Sequence, residues 1–242
     1  MNLIIDIGNT YAKLALFQEG QLVDVCREGD SLQDAFRHVT AHKHIDRCIV
    51  SSVVDLDTEL ISFLKDLPFP CIWMDNKTPV PIKIEYGTPN TLGVDRIAAV
   101  VGAWKKYPGR DVLVIDAGTA ITYDFISKDG VFYGGNIAPG KQLRFYALHN
   151  RIMRLPVIDE NGDAPVAGYD TVTAIRGGVM RGIAYEMDGY IEEYRTRYPD
   201  MLVVLTGGDS LLFKDRLKSA VLVDHHLVLK GLNSILDYNE KF

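Results

Sequence analysis

The stretch LIIDIGNT, residues 3–10, decides the fold of this chain, because a second stretch of the same design, VLVIDAGT, occupies residues 112–119. Each begins as a run of branched apolar residues, which is typical of a buried strand, and then delivers an aspartate into a Gly/Thr turn. A glycine follows fourteen residues after each aspartate, at Gly20 and at Gly130. The repeat therefore extends beyond the turn and predicts two lobes of similar design.

A strand that ends in an Asp-x-Gly turn followed by threonine suits a phosphate and a metal ion. Glycine lets backbone N–H groups approach a phosphate, threonine adds a hydroxyl donor, and aspartate holds a cation or its waters. The chain contains neither GxxxxGK[ST] nor GxGxxG, so neither a P-loop nor a dinucleotide fold supplies a phosphate site. We expect the turns of Asp6 and Asp116 to hold one nucleoside triphosphate from both sides, with Lys13 in reach of the first.

The composition excludes several classes of protein. The chain has 242 residues, 47% of them hydrophobic, and a formal net charge of -6, which disfavours general affinity for nucleic acid. No apolar stretch approaches the roughly 20 residues of a membrane span, and the first apolar run is broken by Asp6 without a basic segment before it. Cys26, Cys48 and Cys71 lack the spacing of a zinc site. We expect a soluble cytoplasmic protein that contacts neither membrane nor nucleic acid.

The order of predicted elements indicates an α/β protein with two lobes, 1–110 and 111–242. The first half carries a three-stranded meander and then alternating helices and strands, with irregular chain around residues 79–89. The second half repeats three strands up to Gly134 and continues with helical patterns at 140–150, 171–196 and 209–218. We expect the lobes to enclose a cleft, which is a preferred place for a ligand.

Two short segments outside the repeated turns carry further polar chemistry. Thr206-Gly207-Gly208 lies between a strand and a helix, where an anion or a flat ring can approach the backbone. Gly93-Val94-Asp95-Arg96 opens a long apolar helix. Its arginine can clamp a carboxylate or a phosphate, and its aspartate can accept a proton from a hydroxyl. The alternatives are a plain strand–helix connection and an ordinary acidic helix start beside a surface arginine.

Five motifs in order resemble the bacterial type III pantothenate kinase family. They are DIGNT at 6–10, GVDR at 93–96, DAGT at 116–119, GGNIAPG at 134–140 and TGG at 206–208. The resemblance spans residue 3 to about residue 235, and its most diagnostic stretch is YGTPNTLGVDR at 86–96. It implies a duplicated actin-like (ribonuclease H-like) α/β fold, with a mixed five-stranded sheet flanked by helices in each of two lobes.

The resemblance also implies an activity. Members of this family phosphorylate (R)-pantothenate at its primary hydroxyl with ATP and give 4'-phosphopantothenate, which is the first step of coenzyme A biosynthesis. They are phosphotransferases with an alcohol group as acceptor. The family works as a homodimer and needs magnesium with ATP, together with potassium or ammonium.

Carried over motif by motif, the resemblance implies a role for each matching residue. Asp95 is the base that takes the hydroxyl proton, Asp116 ligates the monovalent cation, and Asp6 is oriented to magnesium through water. ATP is bound by Asp6, Ile7, Gly8, Asn9, Thr10, Tyr11, Ala12, Lys13 and Thr119, to which the Gly207-Gly208 turn is added. Pantothenate is bound by Tyr86, Gly93, Val94, Asp95 and Arg96, and by Thr171 from the dimer partner. Asp170 stands where the family usually has Asn.

Three other interpretations stay open on the sequence alone. One is a kinase of the same fold that acts on another small hydroxy acid or polyol. A second is a non-catalytic accessory regulator of the family, although such a protein is expected to lose Asp6, Asp95 or Asp116, and all three are present. A third is an actin-like nucleotide switch, for which this chain lacks the additional subdomains.

Overall fold

The structure is a computed structural model, and it describes residues 1–27 and 31–240. Within this part the chain forms eleven strands, seven α-helices and one 3-10 helix at Pro89–Thr91. No helix of the described residues is both long and apolar enough to cross a bilayer.

A mixed five-stranded sheet is built from the first 73 residues. Its strands are β1 (Asn2–Ile7), β2 (Ala12–Gln18), β3 (Gln21–Arg27), β4 (Arg47–Ser52) and β5 (Cys71–Trp73). The order across the sheet is β3-β2-β1-β4-β5. The first three strands form the predicted antiparallel meander, and β4 runs parallel to β1. The apolar run that precedes Asp6 is therefore the central strand, which explains why it is buried on both faces.

Two helices accompany this sheet, α1 (Leu32–Thr40) and α2 (Thr58–Lys65). The side chain of Ser31 accepts the backbone N–H of Asp34 at 3.1 Å, so α1 begins where the sequence predicts. Asp57 caps α2 in the same way. Both helices bury apolar residues in one core with β1, β2 and β4.

The second sheet has six strands. They are β6 (Lys83–Ile84), β7 (Val112–Ala117), β8 (Ala120–Ile126), β9 (Val131–Pro139), β10 (Leu202–Thr206) and β11 (Leu222–Val223), in the order β11-β10-β7-β8-β9-β6. The predicted number of five holds for the first sheet but not for this one. The additional strand β6 lies in the segment predicted to be irregular, because two residues among prolines carry no readable alternation.

The described chain divides into two compact units. Unit 1 comprises Met1–Gly109, Gly130–Tyr133 and His226–Phe242, and unit 2 comprises Arg110–Asp129 and Gly134–His225. These bounds differ from a boundary at residues 110 and 111, because the C-terminal helix returns to unit 1. Two lobes of repeated design at 1–110 and 111–242 therefore stay a prediction, and the compact units do not coincide with them.

The return of the chain to unit 1 rests on two helices, α3 (Val94–Lys106) and α7 (Leu227–Asn239). They meet backbone to backbone at Gly102 and Gly231. A Cβ on Gly231 would lie inside van der Waals contact with the carbonyl oxygen of Ala98, and one on Gly102 would meet the carbonyl of Leu227. Two glycines at one crossing therefore set how closely these helices approach.

Unit 2 contains α4 (Lys141–Arg151), α5 (Thr171–Arg197) and the short α6 (Ser210–Lys214). The core lies between α5 and the strands β7, β8 and β10, and it includes Tyr123 stacked on Tyr190 with ring centroids 4.0 Å apart. Helix α6 ends earlier than the predicted residue 218. The backbone N–H groups of Lys218 and Ser219 donate instead to the carboxylate of Asp188, which holds this part of the chain outside a helix.

Candidate functional site

Four polar side chains lie side by side at one end of the first sheet. Asp6 is paired with Ser51 on the parallel strand β4 and with Lys13 on the antiparallel strand β2, and Lys13 is paired with Arg27 on β3. Residues directly opposite each other on neighbouring strands project from the same face. Ser51, Asp6, Lys13 and Arg27 therefore form one line across four strands, and we call it the polar row.

Asp6 occupies the most strongly perturbed position of the polar row. Burial raises the pKa of Asp6 to about 6, the positive charge of Lys13 opposes this rise, and the negative charge of Asp95 adds to it. The hydroxyl of Ser51 lies near enough to lower the pKa slightly. Its geometry falls short of a full hydrogen bond, and its buried oxygen has no other partner among the described residues. Asp6 and Asp95 thus form an acidic pair next to a cation.

The turn that follows Asp6 is closed by a backbone hydrogen bond from Gly8 to the carbonyl of Tyr11, 3.3 Å long. Ile7 and Ala12, on either side of the turn, point their side chains into the core, where 7% and 0% of their surface is exposed. Any ligand contact of these two residues is therefore made by the backbone. Asn9 and Thr10 are exposed at the tip.

The aspartate of the GVDR segment folds back over its own helix start. The Oδ1 of Asp95 accepts the backbone N–H of Arg96 at 2.8 Å, in the first turn of α3. A Cβ on Gly93 would lie inside van der Waals contact with this same oxygen. A side chain at position 93 would therefore displace the carboxylate of Asp95 from this position.

Arg96 and Tyr86 lie together near Asp95 in sequence and structure. The guanidinium carbon of Arg96 is 5.6 Å from the centre of the Tyr86 ring, and Arg96 is only 5% exposed. Val94 turns its side chain inward and is 8% exposed, so only its backbone is open to a ligand. An arginine held this deeply beside an aromatic face is pre-oriented rather than a solvated surface charge.

In unit 2 the end of β7 meets the end of β10 at Asp116. Thr206 pairs with Asp116 in parallel register, and the chain then turns through Gly207, whose φ is +90°. A Cβ on Gly207 would meet both the carboxylate of Asp116 and the carbonyl of Ala117. These two oxygen atoms pack against the Cα of Gly207 and leave no room for a side chain, and the positive φ also favours glycine at this position. Gly208 follows as an exposed residue.

The second Gly/Thr turn is held by the segment between β9 and α4. The backbone N–H of Gly140 donates to the carbonyl of Thr119 at 3.0 Å, and a Cβ on Gly140 would meet the carbonyl of Gly118. The GGNIAPG segment thus ends against the DAGT turn. The N-terminus of α4, which begins at Lys141, follows directly.

Thr171 is the first residue of α5 and is exposed. Asp170 caps this helix, and its side chain accepts the backbone N–H of Thr173 at 2.7 Å while Thr173 reaches back to the backbone of Asp170. Aspartate and asparagine serve equally well at such a position. The departure from the usual Asn therefore leaves the start of the helix well capped.

The chain matches one known family over most of its length. The sequence profile described as "Type III pantothenate kinase" matches residues 2–193. A type III pantothenate kinase of Phocaeicola vulgatus is 50% identical over 242 residues, with 100% of both chains covered. One of Bacteroides fragilis is 49% identical over 239 residues, which are 99% of this chain and 98% of the relative.

This chain belongs to the type III pantothenate kinase family. The family's members are kinases that phosphorylate pantothenate with ATP in the first step of coenzyme A biosynthesis, and this chain is one of them. The predicted family, activity and substrates are thereby confirmed.

Solved structures confirm the actin-like fold. A structure described as a conserved putative Baf family transcriptional activator from Campylobacter jejuni is 23% identical, with a TM-score of 0.66 and coverage of 99% of this chain and 100% of that one. A ROK family glucokinase from Streptomyces griseus is 12% identical, with a TM-score of 0.54 and coverage of 100% and 99%. At these identities the likeness concerns the fold alone.

The structure brings together most of the predicted site residues within each unit. In unit 1, Asp6, Lys13 and Asp95 are electrostatically coupled, and Arg96 contacts Tyr86. In unit 2, Asp116, Thr119 and the Gly207 turn adjoin one another and Gly140. Thr171 stands apart at the start of α5. How the two turns face each other stays a prediction.

Sequence reasoning missed a buried cation beside the second turn. The ammonium of Lys141 contacts the carboxylate of Glu160 and lies 3.4 Å from that of Asp209. Burial acts to lower the pKa of Lys141, but these two carboxylates outweigh it and raise the pKa. The backbone N–H of Asp209 donates to the carbonyl of Ala117 at 2.9 Å. In the sequence, the one indication of this cation site was the position of Asp209 directly after the TGG motif.

Sequence reasoning also missed Ser51 and Arg27 of the polar row. Both lie far from the motifs in sequence, and only the strand order places them beside Asp6 and Lys13. The paired serines at the end of a predicted strand gave a weak indication for Ser51, because polar residues at strand ends often line sites.

Proposed function

We propose that Asp95 is the general base that takes the proton of the primary hydroxyl of pantothenate. The observation that carries this proposal is the position of Asp95 in the first turn of α3, close enough to Asp6 for its charge to act on that carboxylate, with Lys13 paired to Asp6 across the strands. It brings a candidate base next to groups suited to a phosphate and its metal ion, as phosphoryl transfer requires. We infer that the reaction takes place in the cytoplasm, where coenzyme A is made.

Unit 1 is proposed to hold the phosphates of ATP and their magnesium. Mg²⁺ in such enzymes is bound by one or two carboxylates, waters and phosphate oxygens, and the half-buried carboxylate of Asp6 fits this donor set. Within the described residues no cluster of three or more His, Cys, Asp or Glu side chains stands ready for a metal, which agrees with a metal that arrives with the nucleotide. Lys13 neutralises phosphate charge, and the turn of Asn9, Thr10 and Tyr11 supplies backbone N–H groups, while the N–H of Gly8 closes the turn itself.

Pantothenate is proposed to bind beside Asp95. Pantothenate carries one carboxylate. Arg96, which lies against Tyr86, is the group that can bind this carboxylate through a bidentate pair of hydrogen bonds. Gly93 and Val94 offer their backbone, since the first has no side chain and the second buries its own. Asp95 then needs only to reach the hydroxyl at the other end of the acceptor.

Asp116 is proposed to ligate the monovalent cation. Its carboxylate lies where the ends of β7 and β10 meet, close to the carbonyl of Ala117 and to Gly207, and oxygen donors of this kind replace the hydration shell of potassium. The residues present therefore fit potassium or ammonium, which neutralises charge on the phosphates. Thr119 and the Gly207-Gly208 turn are proposed to contact ATP.

We infer that the protein is a homodimer that forms through unit 2. This unit exposes an unusual number of large apolar side chains between residues 137 and 185. The most exposed are Ile137, Tyr146, Met153, Val157, Val166 and Tyr169, at 64–97%. A soluble monomer rarely leaves so many uncovered. Thr171 lies within this same stretch of chain, which supports the proposal that its hydroxyl reaches the substrate of the partner.

The double variant Tyr146→Ser and Val166→Ser is expected to separate the dimer. The wild-type protein should sediment at twice the 27.0 kDa mass of the chain, whereas the variant should sediment as a monomer with a raised KM for pantothenate. Val23→Ser is the matched control, because Val23 is half exposed but lies on β3 of unit 1. A wild-type protein that is monomeric at micromolar concentration contradicts the proposal.

The function is tested by measuring ADP production with pantothenate, glucose, glycerate or no acceptor, in potassium or in sodium salt. Of these acceptors, we expect only pantothenate to be phosphorylated. Its turnover should be much faster in potassium salt than in sodium salt. Preference for a sugar or for glycerate would contradict the acceptor assignment, and ATP hydrolysis without acceptor would indicate a nucleotide switch. Equal rates in the two salts would contradict the assignment of Asp116 as a ligand of the monovalent cation. They would not affect the assignment of Asp95 as the base.

A further inference from the structure

We propose that Arg27 is an additional binding residue for the polyphosphate of ATP. This inference deepens the proposed ATP site and rests on it. Arg27 lies outside every motif of the family named above, at the end of β3, and it is exposed. Its place in the polar row assigns it to the same anionic ligand as Lys13.

The register of the sheet places Arg27 directly opposite Lys13. Two like charges facing each other across antiparallel strands are unfavourable by themselves. Both cations also lie near one aromatic ring, at 5.7 Å for the ammonium of Lys13 and 3.4 Å for the guanidinium of Arg27 from the centre of Tyr11, so they are close enough together to contact one anionic ligand. An anion bound there turns this repulsion into a two-cation clamp.

The described contact of Arg27 is with an aromatic ring rather than with a fixed carboxylate. Its guanidinium carbon lies 3.4 Å from the centre of the Tyr11 ring, and the ammonium of Lys13 lies 5.7 Å from the same centre. An arginine over an aromatic face is attracted to the ring without using its N–H donors, which can then bind an anion. Tyr11 thus holds Arg27 ready next to the phosphate turn.

The order of the polar row indicates which phosphate Arg27 meets. The proposed function puts the transferred phosphoryl group beside the magnesium held by Asp6, and the strand register places Asp6 on the far side of Lys13 from Arg27. Arg27 lies two strands away, about 10 Å in backbone distance, and its long side chain reaches back toward Lys13. We therefore assign Arg27 to the β-phosphate, on which charge develops when the γ-phosphoryl group leaves.

The test is calorimetric titration of Arg27→Met with ATP, ADP and AMP, alongside KM values for both substrates. We expect a loss of about tenfold in affinity for ATP and for ADP, which is the size of one charge-assisted contact. Affinity for AMP and the KM for pantothenate should stay unchanged. Arg27→Lys, which keeps the charge but not the fork, should lose less.

Arg37→Met is the matched control, since Arg37 is an exposed arginine of the same unit that pairs with Asp34. Unchanged affinity of Arg27→Met for ATP and ADP overturns the inference, and an equal loss for AMP overturns the assignment to the β-phosphate. Lys13→Met separates the two levels of the proposal. If Lys13→Met weakens ATP binding and Arg27→Met does not, only this inference fails; if neither does, the proposed ATP site is wrong.

Discussion

Replacing Asp95 with asparagine lowers kcat for phosphorylation of pantothenate by about 10² to 10⁴-fold and leaves the affinity for ATP nearly unchanged. Asparagine keeps the oxygen that accepts the backbone N–H of Arg96 at 2.8 Å, so the start of α3 stays intact. What it loses is the ability to take a proton. The substitution also removes a negative charge next to Asp6. Loss of this charge does not weaken the binding of the anionic nucleotide.

The measurement is steady-state kinetics in both substrates, together with calorimetric titration of ATP into the variant. A fall in kcat and in kcat/KM by the same factor identifies an interaction that acts in the transition state. Glu59→Gln is the control, because Glu59 is an exposed carboxylate of the same unit in the first turn of α2. Turnover of Asp95→Asn close to that of wild type removes Asp95 from the role of base.

Replacing Gly231 with alanine destabilises unit 1 by about 3 kcal/mol or more. The added Cβ falls on the carbonyl of Ala98 in the facing helix, and that oxygen belongs to backbone that cannot rotate away. Helices α3 and α7 must therefore separate, and α3 begins with the GVDR segment. The free energy of unfolding from urea titration measures the loss, and the same variant should have reduced activity.

Gly189→Ala is the matched control for this prediction. Gly189 also lies within a helix, α5, but it is exposed, and a Cβ there meets no atom within 4 Å. Since alanine favours a helix by about 1 kcal/mol over glycine, this variant should be slightly more stable than wild type. Equal stability of the two variants would show that the helices have room to move apart.

The motifs predicted site residues well wherever the contacts that position a residue lie within one short segment. Gly93 and Asp95 illustrate this, because the carboxylate folds over the glycine within a single helix turn. Asp116 and Gly207 were both identified from turns, and the structure explains their pairing by the parallel register of β7 and β10. Local sequence suffices in such cases because each turn is stabilised by its own backbone hydrogen bonds.

Residues that join the site from a distance could not be predicted. Ser51 and Arg27 flank Asp6 and Lys13 only because β4 and β3 lie on opposite sides of β1 and β2. The cation of Lys141 meets Glu160 and Asp209, which are far from it in sequence. Sequence pattern gives the period of a strand but not its neighbours, since strand order depends on packing of the whole sheet.

The sequence by itself determined the duplicated turns, the α/β class, the family and therefore the reaction, because each is recorded in short segments whose local geometry is self-sufficient. The tertiary structure decided that the second sheet has six strands and that the C-terminal helix packs against α3 in unit 1. It also decided that Asp6 stands in a row with Ser51, Lys13 and Arg27. These facts depend on contacts between segments far apart in the chain, and such contacts form only when apolar faces are buried together.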